Sequence, residues 1–222
     1  LEKEKRLEFA RKWNLVQEQK NNEKHMKEME DALAAKHLTP EQLKLLGNVM
    51  SKSGSDSLAD DADDHDQLTA LKIDPEAIFM KKLNIGRGAT GDVHLAEWNG
   101  ARVAVKQLTT LTEEAIKDFR NEVLLMNQLR HPNIVTILGA LWSKEIVGIM
   151  LEFAEGGSLA DALADSSVSE SWAWGSNFNT FAVDIARGLL FLHKAKLYDA
   201  VERVNKSVIH RDLKLSNLLY ER

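Results

Sequence analysis

Cysteine is absent from the 222 residues. Neither a disulfide framework nor a thiolate metal site is therefore available, which agrees with a reducing compartment. No apolar run reaches the roughly 18 residues that a membrane-spanning helix requires. The charged opening Leu-Glu-Lys-Glu-Lys-Arg does not have the form of a signal peptide. A basic excess is lacking as well, with 29 Lys+Arg against 34 Asp+Glu and a net charge of −5. The electrostatic footprint for a nucleic-acid backbone or an anionic membrane is thus missing. A soluble, cytoplasmic protein with no nucleic-acid or membrane partner is the expectation.

The acidic excess is not evenly spread. Residues 1–50 hold ten basic and nine acidic groups, residues 51–75 two and seven, and residues 76–222 seventeen and eighteen. Residues 1–50 read as a charged helical arm, because Glu, Lys, Gln and Ala dominate residues 1–38 without Gly or Pro. Phe9, Trp13 and Val16 are not continued past Asn21-Asn22, so the three to four heptads of a coiled coil are not reached. The arm is read as solvated, with a partner-binding or dimerising helix as the alternative. Thr39-Pro40-Glu41-Gln42 predicts a second helix start, with Thr39 as N-cap and Gln42 at the capping-box position, ending at Gly47. Residues 51–75 read as an acidic Ser/Asp-rich linker, too poor in apolar groups to offset its ordering entropy. Asp61, Asp63 and His65 alternate as calcium ligands would, but Asp66 stands where the sharp turn of such a loop needs Gly.

From Asp74-Pro75 onward the pattern is strand-like, over Phe79 to Ile85, Val93 to Trp98 and Ala101 to Leu108. Asn99-Gly100 between the last two is the signature of a type I′ hairpin, whose central residues both need φ > 0. A helix is predicted from Thr112, whose hydroxyl caps it ahead of Glu113 and Glu114. Two more strands are expected over Ile134 to Trp142 and Ile146 to Phe153. Phe178, Phe181, Ala182, Ile185, Leu189 and Leu192 then recur at helical spacing.

Chemistry enters at Ile85-Gly86-Arg87-Gly88-Ala89-Thr90-Gly91, a G-x-G-x-x-G string shared by dinucleotide-binding folds and kinases. Here the third glycine opens the alternating run Val93, Leu95, Glu97 rather than a helix, so the loop joins two paired strands. Glycines at these positions let backbone amides approach phosphate oxygens, although a ligand-free glycine hairpin remains open from the motif alone. In Val103-Ala104-Val105-Lys106, alternation puts the small Ala104 and the amine of Lys106 on one strand face. On the next helix Ala115, Phe119, Met126 and Leu129 read as an apolar stripe with Glu122 inside it. A carboxylate buried there needs a partner, and Lys106 is the natural cation; the alternative is that Glu122 rims the stripe and reaches water.

His210-Arg211-Asp212-Leu213-Lys214-Leu215-Ser216-Asn217 is the most specific string in the chain. Asp212 is suited to accepting a hydroxyl proton within reach of Lys214, and Asn217 offers a carbonyl oxygen hard enough for magnesium. With these motifs in order, residues 79–222 resemble a eukaryotic protein kinase. The resemblance implies an α+β fold: a complete N-lobe (76–153) of antiparallel sheet plus helix αC, and the start of a helical C-lobe (154–222). It also implies ATP and Mg2+ as cofactors and a protein substrate. By that resemblance Gly86, Gly88 and Gly91 cover the phosphates, and Lys106 pairs with Glu122. Asp212 is the catalytic base, Lys214 marks a Ser/Thr-type loop, and Asn217 is a metal ligand. Ile85, Val93, Ala104 and Leu219 border the adenine, Leu151 is the gatekeeper, and Glu152 and Ala154 offer hinge backbone atoms. Met126 joins the hydrophobic spine behind Glu122, and His131-Pro132-Asn133 is similar to the turn after αC. The hinge wording and Asp184-Ile185-Ala186-Arg187-Gly188 resemble the tyrosine-kinase-like group with Ser/Thr specificity.

Two departures carry expectations of their own. Residues Lys194 to Ser207 exceed the family's usual short connection and predict an extruded loop or a helix extension. The Asp-Phe-Gly, activation-loop and Ala-Pro-Glu segments of the family do not occur within residues 1–222. The chain therefore reads as a fragment of a Ser/Thr kinase, inactive by itself, or alternatively as an inactive interaction or regulatory module. The stripe Phe178 to Leu192 is expected to face water for want of lower-lobe helices.

Overall fold

The computed structural model of the chain describes residues 38–51, 60–87, 91–169, 171–199 and 204–221. The proposed arm up to residue 37, the middle of the proposed linker and Gly88 lie outside the described residues. Two helices, α1 (Pro40–Ser51) and α2 (Asp60–Leu71), precede five strands: β1 (Ile78–Arg87), β2 (Gly91–Trp98), β3 (Ala101–Leu108), β4 (Ile137–Trp142) and β5 (Val147–Glu152). All pairings are antiparallel, in the order β1-β2-β3-β5-β4. Helix α3 (Glu113–Asn127) lies in the chain between β3 and β4. Short helices α4 (Leu159–Ala164) and α5 (Ser166–Ser169), the long α6 (Asn177–Lys194) and a ribbon of β6 (Leu197–Asp199) with β7 (Val204–Lys206) follow. This is the expected α+β arrangement.

Local chemistry accounts for most of the boundaries. Asn99 and Gly100 have φ of 51° and 78°, the two left-handed residues that a type I′ turn requires. Thr112 caps α3, its hydroxyl accepting from the Ala115 N–H at 3.2 Å. At α1 a complete capping box forms: Thr39 Oγ1 accepts from the Gln42 N–H (3.3 Å), and Gln42 Oε1 accepts from the Thr39 N–H (2.9 Å). α1 does not end at Gly47 but runs to Ser51, burying Val49 and Met50. That burial outweighs the roughly 1 kcal/mol penalty of one glycine in a helix.

Alternation in the strands divides the interior in two. Ile137, Ala140, Val147 and Ile149 join the α3 residues Ile116, Phe119, Val123 and Leu124 in one cluster. Ala96, Val103, Val105, Leu141, Ile146 and Met150 form the other. The buried stripe of α3 is therefore Ile116, Phe119, Val123 and Leu124, with Met126 partly buried. Ala115 is only half-buried, a turn's flank away from the expected axis.

The linker reading is corrected for its second half. Residues 60–71 are helix α2, and Leu68, only 1% exposed, sits in the α3 cluster together with the partly buried Leu71. A composition average hides single apolar positions, and one helical turn of contact suffices to anchor a polar helix. Residues 134–136 precede β4 rather than belonging to it, and of the excess residues after His193 the described Leu197–Asp199 and Val204–Lys206 pair as the β6–β7 ribbon. The stripe on α6 is partly covered: Phe178, Phe181, Ile185 and Leu189 are half-buried, Leu192 is buried with Leu129 and Leu197, and Ala182 is exposed. Trp172 stacks edge-on against Phe178 (6.1 Å) and Phe181 (4.9 Å), and Tyr220 packs on Trp172 (5.3 Å). Val183 and Leu190, outside that stripe, are exposed large apolar side chains of α6.

If α2 is part of the core, Leu68→Ala leaves a cavity and lowers the unfolding free energy by about 2–5 kcal/mol. Urea denaturation of the variant measures this; an unchanged midpoint would restore the linker reading.

Candidate active site

The register of the sheet lines up the residues singled out in the sequence. Gly86 opposes Val93, Val93 opposes Lys106, and Lys106 opposes Ile149, so these four occupy one rung. The rung two residues along holds Lys82, Leu95, Ala104 and Leu151. Directly opposed antiparallel residues share a face, so Val93, Ala104, Lys106 and Leu151 all project to one side. Ala104 is buried, and Val93 and Leu151 are half-buried.

Lys106 Nζ donates to Glu122 Oε1 at 2.7 Å, joining β3 to α3. The two side chains are 23% and 34% exposed. That places the pair between a surface ion pair, worth about 0–1 kcal/mol, and a buried one, whose breakage costs about 3–5 kcal/mol. Of the two readings of Glu122, the partnered one is realised. A wet edge remains through which phosphate oxygens can reach the ammonium.

The described ends of the glycine string flank this rung, with Gly86 in β1 and Gly91 opening β2. Ile85 is half-buried and Gly86 exposed, and Gly88 lies outside the described residues. Gly91 has a packing role beyond the expected phosphate approach: a Cβ there would overlap the Gln107 carbonyl oxygen of β3. The strand entering the loop is bulged, with Lys82 opposite Leu95 and Gly86 opposite Val93, and Asn84 at φ 55° within the bulge. His94 fills the gap, its Nδ1 accepting from the Asn84 N–H (3.0 Å) and its Nε2 lying 3.1 Å from Gln107 Oε1. That polar support was not read from the sequence, because a histidine in an alternating strand carries no mark of what lies beside it.

The second cluster is carried by residues 210–217. Arg211 adopts φ 62°, a left-handed conformation that non-glycine residues seldom take, and the Asp212 N–H donates to the His210 carbonyl at 2.9 Å. Asp212 Oδ2 receives Lys214 Nζ (2.9 Å) and Asn217 Nδ2 (2.8 Å). The Lys214 ammonium first, and the Asn217 amide second, hold the Asp212 carboxyl below the usual aspartate range. Asn217 Nδ2 also donates to the Asp212 carbonyl at 2.9 Å. Its amide carbonyl oxygen is left without a hydrogen bond among the described residues, a hard ligand for a divalent cation. No group of three His, Asp or Glu among the described residues forms a self-sufficient metal site. A cation here would share Asn217 with oxygens from elsewhere.

A hinge connects the two clusters. Beyond β5 the Glu152 carboxylate accepts from the Thr136 N–H at 2.8 Å. The Ala154 carbonyl accepts from the Gly157 N–H at 3.2 Å, while the Ala154 N–H makes no hydrogen bond among the described residues. The tail of the catalytic string runs back alongside: Leu159 N–H donates to Leu218 O (2.8 Å), Gly156 N–H to Tyr220 O (3.0 Å) and Tyr220 N–H to Gly157 O (3.1 Å). Leu219, bridged to Ser158, is thereby held beside the hinge, with its side chain 46% exposed. A Cβ on Gly156 would overlap Tyr220, so this glycine makes the close approach possible. Arg102 pairs with Glu155 and lies over the Phe153 ring at 5.6 Å. Tyr220 and Arg102 were not singled out in the sequence, and nothing in the hinge string, which includes Glu155 and Gly156, named them as its partners.

Residues 79–222 match the model of the protein kinase domain. The chain belongs to the protein kinase family. It is 35% identical over 168 residues to cysteine-rich receptor-like protein kinase 7 of Arabidopsis thaliana, covering 72% of this chain and 24% of that protein. It is 34% identical over 141 residues to probable serine/threonine-protein kinase drkB of Dictyostelium discoideum (63% and 19%). With probable serine/threonine-protein kinase SIS8 of Arabidopsis thaliana it shares 34% over 183 residues (81% and 15%). The chain thus spans under a quarter of the length of these relatives. A kinase domain uses ATP and a divalent metal, and the Lys106–Glu122 pair and the Asp212–Asn217 cluster both lie within the matched residues.

Because Asp212 is held ionised mainly by Lys214, Lys214→Met is expected to move its titration upward, toward the ordinary aspartate range. In the unaltered chain Asp212 keeps its charge until the pH falls through its lowered value. Carbon-detected NMR of the Asp212 carboxyl against pH measures both; an unmoved midpoint in the variant would assign the shift to Asn217.

Proposed function

We propose that this chain is the N-terminal part of the catalytic domain of a Ser/Thr protein kinase of the tyrosine-kinase-like group. The reaction is transfer of the ATP γ-phosphoryl group to serine or threonine hydroxyls of a protein substrate. The observation that carries the proposal is the 2.7 Å contact between Lys106 and Glu122 on the rung that Gly86 and Val93 share. A phosphate-directed lysine needs this tether, because a free four-carbon stem loses its orientation to rotamer entropy.

The roles follow from the geometry. Ala104, Val93, Leu151 and Leu219 offer small or apolar surface for a flat base, and the unbonded Ala154 N–H is a donor for it. Lys106 holds phosphate oxygens. Asp212 accepts the proton of the incoming hydroxyl as the new bond to γ-phosphorus forms and the bond to the bridging oxygen breaks, releasing ADP. Lys214 neutralises charge beside it. When bound, magnesium supplies charge neutralisation at the phosphates, and Asn217 is the residue that would hold it here, with phosphate oxygens and water as the other ligands. The family's other metal ligand, the aspartate of Asp-Phe-Gly, does not occur in residues 1–222. Binding of ATP without turnover is therefore proposed for these residues alone, and turnover for a longer chain that includes that motif.

Calorimetric titration of residues 1–222 with ATP and magnesium is expected to show binding that Lys106→Ala weakens at least about tenfold, or about 1.4 kcal/mol. Labelled ATP with a generic protein substrate is expected to yield no phosphoprotein. Turnover by the 222-residue chain that Lys106→Ala abolishes would overturn the requirement for the missing aspartate. Absence of ATP binding would overturn the proposal itself.

A further inference from the structure

Glu122 can meet Lys106 only if α3 is held in place, and α3 is covered from two sides. At 3.6 residues per turn, Leu124 lies roughly 160° around the helix from Glu122, yet it is only 7% exposed. Helix α3 packs on β4 of the sheet and on the two preceding helices, α1 and α2. Leu46, Val49 and Met50 of α1 and Leu68 of α2 belong to the same buried cluster as Ile116, Phe119, Val123 and Leu124.

This layer is pinned to the sheet at both of its ends. At one, the Leu38 N–H donates to the Lys144 carbonyl in the β4–β5 turn at 2.9 Å. At the other, the Ile73 N–H donates to the Ala140 carbonyl of β4 at 2.9 Å, and Lys72 Nζ lies 5.3 Å from the centre of the Trp142 ring. Gly139 admits the Ile73 side chain, which a Cβ would overlap. Helices α1 and α2 both precede residues 79–222, the span that matches the kinase domain.

We propose that residues 38–51 and 60–73 are a built-in brace that keeps α3 where Glu122 meets Lys106. Leu46 and Met50 are positioning residues that act through α3. The brace rests on the kinase reading of the Lys106–Glu122 pair. Its effect on nucleotide affinity follows from population shift, since apparent affinity falls in proportion to the fraction of molecules with the pair formed. With Leu46 and Met50 truncated, α3 loses packing on the side away from Lys106 while every residue of the nucleotide cleft is unchanged.

The test uses the 222-residue chain, calorimetric titration with ATP and magnesium, and backbone hydrogen exchange. Leu46→Ala/Met50→Ala is expected to raise the dissociation constant about fivefold, as a fall of the competent fraction to about one fifth would do. It is also expected to speed exchange of α3 amides more than those of β3 and β5. Met50→Leu, which keeps the volume, is expected to match the unaltered chain. On a Glu122→Gln background, the double substitution is expected to weaken ATP binding no further, because there is no pair left to position. If the double variant does not fold, Met50→Ala alone is read in the same way. Unchanged affinity and unchanged α3 exchange would overturn the brace, as would an affinity loss that simply adds to that of Glu122→Gln. If the unaltered chain binds no ATP, the kinase reading fails, and selective exchange in α3 still decides whether the brace holds the helix.

Discussion

A single ion pair organises this molecule. The 2.7 Å contact between Lys106 and Glu122 ties the central strand of a five-stranded sheet to helix α3. The two side chains are neither fully buried nor freely solvated at that junction. The sheet register then places Gly86 and Val93 on the lysine's rung and Ala104 and Leu151 on the next.

Two polar devices keep the surroundings in step with that pair. On the loop side, His94 and Gln107 support the bulge in β1, and Gly91 allows β2 to press against β3. On the other side, Gly156 lets the segment ending at Tyr220 lie against residues 154–159. Leu219 and the Asp212 loop thereby inherit their placement from backbone hydrogen bonds rather than from side-chain packing. The exposed Asp212–Lys214–Asn217 cluster is oriented internally, through the Arg211 turn and the paired carboxylate.

Much of this was legible in the residues themselves. Asn99-Gly100, Thr112 and the Thr39–Gln42 box are local signals whose chemistry is complete within four residues, and each appears where expected. The pairing of Lys106 with Glu122 was legible for a different reason: a carboxylate at the edge of an apolar stripe demands a cation, and few are in reach. The acidic run around residue 60 misled, because charge density was taken as a property of the segment. Burial acts on single side chains, here Leu68. The stripe on α6 misled in the opposite sense, since Trp172 and Tyr220 partly cover it from positions with no periodic relation to it.

By itself the amino-acid order determined the strands, the caps, the turn and the identity of the reactive groups, because those depend on neighbours within one turn of helix or one hairpin. Only the tertiary structure decided that two helices ahead of the kinase domain lie on α3, that Gly91 and Gly156 are held glycine by backbones from other strands, and that Leu197–Asp199 and Val204–Lys206 pair as a ribbon. These features arise from contacts between residues far apart in the chain. Their energies depend on which surfaces meet, and that is set by the packing of the whole rather than by the spacing of any one motif.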